Sequence, residues 1–80
     1  MSWYRFHVQA DGKDAASILR HLGFLSEDSN GNNPKIYRAY DALAIEYNDS
    51  VEIWSQYKTV IDPMQKKTPG ASEVETVTIS

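Results

Sequence analysis

Glu46 and Glu52 are the residues whose type and spacing first suggest chemistry. If Asn48, Asp49 and Ser50 form a three-residue turn, these carboxylates face each other across a hairpin. Like charges that close raise the pKa of one carboxyl, as paired-carboxylate acid–base catalysis requires. A hairpin tip offers no pocket to exclude water, so the pair reads as solvating surface. His7 and His21 are the chain's two histidines. They fall on different elements, with no third ligand nearby in sequence. His21 suits the negative end of a helix and His7 an exposed sheet position. Ser26, Asp28, Asn30 and Gly31 have the spacing of positions 1, 3, 5 and 6 of a calcium loop. Position 1 is not Asp, and position 12 falls on Tyr37 where a bidentate Glu is needed. The four glycines, at 12, 23, 31 and 70, do not have the spacing of a phosphate-wrapping loop. Zero cysteines exclude disulfides and thiolate metal sites. No residue is therefore assigned to catalysis or to a metal, and no cofactor is implied.

The aromatics carry more weight than the titratable groups. The 80 residues include two Trp, five Tyr and two Phe. Where these rings fall depends on the elements that hold them.

Residues 2–10 alternate at period two, with Tyr4, Phe6, Val8 and Ala10 on one side and Trp3, Arg5, His7 and Gln9 on the other. That is the pattern of a half-buried strand. Asp11 stands at an N-cap position, and Ala15, Ile18, Leu19 and Leu22 then repeat at helical spacing, which predicts a helix over 12–22. Gly23 suits the left-handed stop, Phe24 folds back on Leu19, and Arg20 and His21 suit the helix's negative end. Residues 26–34 are polar and rich in turn formers, which predicts an exposed loop. Residues 35–61 admit a hairpin or two helices. The hairpin is favoured because the three-residue turn pairs Tyr47 with Val51, Ile45 with Ile53 and Leu43 with Ser55, making one face apolar. Residues from Pro63 on read as a linker, with Val74–Ile79 able to add a short edge strand.

The expected fold is α+β: a β-α-β-β sheet of three antiparallel or mixed strands with one helix on one face. Residues 1–62 form one small domain and 63–80 a flexible tail. A right-handed crossover places the third strand between the first two. The helix then covers Tyr4, Phe6, Val8, Ile45, Tyr47, Val51 and Ile53. Trp3, Arg5, His7, Arg38, Tyr40, Trp54 and Lys58 lie on a bare face, with Glu46 and Glu52 toward the hairpin tip. A slip of one residue in the pairing would turn a strand's side chains to the opposite face.

A bare aromatic face in a chain too short to cover it implies a partner. Residues 41–62 carry Lys58 against Asp41, Glu46, Asp49, Glu52 and Asp62, a net of −4 that exceeds the chain's −3. The sequence therefore points to a small acidic, non-catalytic protein-binding module, an inhibitor or regulator of the kind found among phage and mobile-element accessory proteins. It would dock Trp3, Tyr40 and Trp54, rimmed by Glu46, Asp49 and Glu52, on a larger basic protein or nucleoprotein complex. Self-association through the same face is a second expectation. The alternative is single-stranded nucleic acid stacked on those rings, with Arg5, Arg38 and Lys58 near the phosphates, against which the net charge counts. No apolar run is long enough to span a bilayer and residues 1–25 lack a leader pattern, so the chain reads as cytoplasmic and without membrane contact.

Overall fold

A computed structural model describes residues 1–27 and 34–79, with the backbone alone at Ser26 and Glu27. Asp28, Asn30 and Gly31 of the calcium-like spacing lie outside the described residues. The chain forms β1 (Ser2–Gln9), α1 (Gly12–His21), β2 (Ser26–Glu27), β3 (Lys35–Ala39), β4 (Ala42–Glu46), β5 (Ser50–Ser55), α2 (Lys58–Lys66) and β6 (Glu75–Thr78). The fold is α+β. One antiparallel sheet has the order β2-β3-β4-β5-β1-β6, with only two residues in β2. β5 lies between β1 and β4, as the crossover argument expects, and β1 separates β5 from β6. The result is two crossovers around a four-strand meander in place of the expected three strands and one helix.

α1 begins at Asp11, whose extended backbone (φ −132°, ψ 162°) turns the chain into the helix. Its carbonyl accepts from Asp14 N–H (2.9 Å) and Ala15 N–H (3.3 Å), while its side chain makes no capping bond. The stop is a Schellman motif: Gly23 adopts φ +96°, its N–H donates to the Arg20 carbonyl, and Phe24 N–H donates to the Leu19 carbonyl at 2.8 Å. Phe24 and Leu19 are both buried in the core.

α2 takes residues that the sequence reading divides between the end of the 35–61 hairpin, where Lys58 is expected on the sheet face, and a linker from Pro63. Pro63 sits inside it and removes one backbone donor. Ile61 and Thr68 are nonetheless buried, and Val60 and Met64 pack on the core. The Thr68 hydroxyl donates to the Met64 carbonyl at 2.8 Å. The boundary expected at residue 62 thus falls within a helix. Beyond it, Ser72 N–H donates to the His7 carbonyl (2.8 Å), and the Ser72 hydroxyl accepts from His7 N–H (2.9 Å). β6 then pairs with β1 from Glu75 opposite Arg5 to Thr78 opposite Ser2. Residues 63–79 are stitched to the sheet edge and do not form a detached tail.

Both helices pack on one side of the sheet. Ala15 and Leu19 from α1 and Ile61 from α2 share a core with Phe6, Val8, Ala42, Ala44, Val51 and Ile53. This corrects the expected pairing. Tyr47 N–H donates to the Ser50 carbonyl at 2.8 Å, so Asn48 and Asp49 alone form the turn. Glu46 then faces Val51, Ile45 faces Glu52, Ala44 faces Ile53 and Leu43 faces Trp54. Relative to the expected register, β4 is turned over while β5 keeps its faces. The second helix supplies the reason: with Ile61 and its neighbours filling the core, the β4 positions beneath the helices take alanine, and Leu43 and Ile45 point away.

Candidate functional site

The side of the sheet opposite the helices has no covering layer among the described residues. Strand alternation and register bring six apolar side chains to it: Trp3 from β1, Ile36 from β3, Leu43 and Ile45 from β4, Trp54 from β5 and Val77 from β6. None of the six joins the core cluster. Five are half-buried, and Ile36 is 37% exposed. Ile36 stands opposite Ile45, and Leu43 lies between Arg38 and Trp54, so the apolar residues are contiguous across three strands.

The two tryptophans meet edge to face, with centroids 6.5 Å apart and ring planes at 75°. The Arg5 guanidinium carbon lies 5.7 Å from the Trp54 centroid, within cation–π range. Arg5 also pairs with Glu52 (3.3 Å) and, across the β1–β6 ladder, with Glu75 (2.7 Å). Glu52 accepts two further hydrogen bonds, from the Tyr47 hydroxyl (3.1 Å) and from Trp54 Nε1–H (3.3 Å). Burial, its hydrogen bond to Glu52 and that carboxylate's charge push the Tyr47 pKa above the ordinary tyrosine value, against the opposing pull of Arg5. These links fix the Trp54 ring and leave Arg5 charge-balanced. At the β3–β4 turn, a shallow cleft of about 220 Å³ lies among Trp3, Arg38, Leu43, Gln56 and Tyr57.

The structure brings together Trp3, Trp54, Glu52, Arg5 and Arg38 of the residues singled out from sequence. It separates the others. Tyr40 occupies the tip of the β3–β4 turn, 91% exposed, beside Asp41 at φ +62°. Glu46 lies on the helix side, where its carboxylate accepts from the Tyr37 hydroxyl at 2.8 Å. Glu46 and Glu52 therefore point to opposite faces of the sheet, and neither a carboxylate pair nor a continuous acidic rim forms. Asp49 sits at the opposite end of the sheet from Tyr40, near Asp11 and Asp14 at the start of α1, and its carbonyl accepts from Ala10 N–H at 3.1 Å. Lys58 belongs to the first turn of α2, apart from the sheet face. His7 is exposed on the open face and His21 ends α1.

Ile36, Leu43, Ile45 and Val77 are the face residues that sequence reasoning does not find. Ala42-Leu43-Ala44-Ile45 is apolar at both parities, so its alternation does not say which pair points inward. The volume contrast, small at 42 and 44 and large at 43 and 45, is the signal that separates them. Among the described residues no group of three or more His, Cys, Asp or Glu could hold a metal ion, and no helix is long and apolar enough to cross a membrane. The chain matches no family model, no curated protein and no solved structure.

Proposed function

We propose that this chain is a small non-catalytic protein-binding module whose docking surface is the open face of its sheet. The observation that carries this reading is the orientation of β4. Leu43 and Ile45 point out while Ala42 and Ala44 are buried, and with Trp3, Ile36, Trp54 and Val77 the two large residues make an apolar surface. A contiguous apolar surface of that kind costs solubility unless a partner covers it. The edge-to-face tryptophans, fixed by Arg5 and Glu52, are pre-ordered anchors of the type that dominates interface energies.

With Glu46 and Asp49 away from this face, recognition rests on apolar contact and shape, without an acidic rim to select a basic partner. Single-stranded nucleic acid is the weaker reading. The Arg5 charge is taken up by Glu52 and Glu75, whose carboxylates repel phosphate.

The test is recovery of protein on the tagged chain, after nuclease, from a lysate that also contains the untagged chain, compared with Trp54→Ala and with Arg20→Glu on the helix side. The expected result is a stoichiometric protein with the wild type and with Arg20→Glu, lost with Trp54→Ala while the circular dichroism is unchanged. Equal recovery by Trp54→Ala, or recovery that disappears with nuclease, would overturn the proposal.

A further inference from the structure

Resting on the docking reading above, we infer that the occupant of the open face is a second copy of this chain, packed sheet against sheet across a two-fold axis.

Charge is the first argument. The strands place Arg5 and Arg38 against Glu52 and Glu75 on this face, a sum of zero, with Asp41 of the β3–β4 turn at its edge, and Arg5 bridges both glutamates. The chain's net charge of −3 is carried elsewhere. Complementary charge steers a surface toward an oppositely charged partner and repels a like one. A neutral face attracts neither a basic nor an acidic protein, and it does not repel its own copy.

Area is the second argument. The molecule measures 30 × 26 × 20 Å, and 20 Å is the thickness expected of one sheet plus one helix layer. The 30 × 26 Å outline caps the projected area of the broad face at about 780 Å², against the roughly 800 Å² of accessible surface that each partner of a standard stable interface buries. Covering it fully uses nearly all of the face, which suits an object of the same size.

The distribution of side chains fits an isologous contact. Ile36, Leu43, Ile45 and Trp54 occupy β3, β4 and β5, and Arg5 and Glu75 lie on β1 and β6, with Glu52 of β5 joining them. A two-fold axis along β4 sets Leu43 and Ile45 against their mates, with Arg38 and Glu52 flanking them on β3 and β5 and the Arg5–Glu75 pair at the margin. An 80-residue chain has little core to spare, and association adds stability by mass action.

The experiment is light scattering on the full chain over a dilution series, with tryptophan emission recorded on the same samples. Both tryptophans of the chain lie on this face, so emission reports its burial without any substitution. At about 100 µM, well above the micromolar end of affinities for interfaces of this size, the wild type should show twice the 9.1 kDa chain mass. Emission should shift to the red on dilution as Trp3 and Trp54 regain water. Leu43→Glu should halve the mass while Arg20→Glu leaves it unchanged. A mass of 9.1 kDa at that concentration, with emission independent of dilution, overturns the inference. The docking reading then stands if Trp54→Ala still removes a different protein recovered from lysate, and falls with the inference if it removes none.

Discussion

Enlarging Ala44 tests the orientation of β4, on which the open face depends. Ala44 is fully buried and lies opposite Ile53, itself fully buried, beneath the helices. Ala44→Leu forces three extra carbons into a filled space, at a cost of about 1–3 kcal/mol. Its neighbour Ile45 is half-exposed, stands outside the core cluster and faces Glu52. Full burial of such a side chain is worth about 1.5–3 kcal/mol, so Ile45→Ala, which loses partial burial and leaves no closed cavity, costs roughly 1 kcal/mol. The three-residue turn reverses these values. Ile45 would then be a core residue, whose truncation costs about 2–5 kcal/mol, and Ala44 a surface one, whose enlargement stays within about 0.5 kcal/mol. The assay is urea unfolding by circular dichroism, at high dilution so that association adds nothing. With a slope of about 1 kcal/mol/M for so small a chain, a 2 kcal/mol loss moves the midpoint by about 2 M. A larger loss for Ile45→Ala than for Ala44→Leu would refute the orientation.

Other outcomes follow from single contacts. The buried Ser55 hydroxyl donates to the Asp41 carbonyl (2.7 Å) and accepts from Tyr57 N–H (3.0 Å), tying the β3–β4 turn to the start of α2. Ser55→Ala should therefore cost about 1–2 kcal/mol, and thermal melting should show a drop of about 4–8 °C per kcal/mol. Glu52→Gln removes the charge that Arg5 shares with Glu75. It should cost about 0.5–1 kcal/mol at low salt and less at high salt, read from urea midpoints at two ionic strengths. The fold favours the protonated Tyr47 hydroxyl, so its contribution is fully present below the ordinary tyrosine pKa and is lost as pH rises through the raised one. Glu52→Gln should lower that pKa part of the way, since burial remains. The difference in phenolate absorbance between proteins with and without Tyr47→Phe measures it.

Elements with a strict period and local stop signals were legible in the sequence. β1 shows Tyr4, Phe6 and Val8 at every second position, and the Gly23-Phe24 stop of α1 forms the bonds its residue types imply. α2 was obscured because Pro63 marks a break, whereas the burial of Ile61 and Thr68 outweighs one missing hydrogen bond. The tryptophan pair was legible because Trp3 follows from the β1 alternation and Trp54 keeps its face in either register. Glu46 was misplaced because one residue more or less in the turn decides the face of every β4 side chain. Local sequence does not weigh that choice. It is made by the volume that α1 and α2 together fill above the sheet, and so by a helix the local pattern hides.

Ile45→Lys, measured for both stability and association, tests the central claim most directly. A lysine at a half-exposed position on an open face keeps its ammonium in water, so the domain should stay folded, with a urea midpoint within about 1 M of the wild type, while association through the face is lost. An unfolded protein would return Ile45 to the core, and a folded protein that associates as before would show that the open face is not where this chain docks.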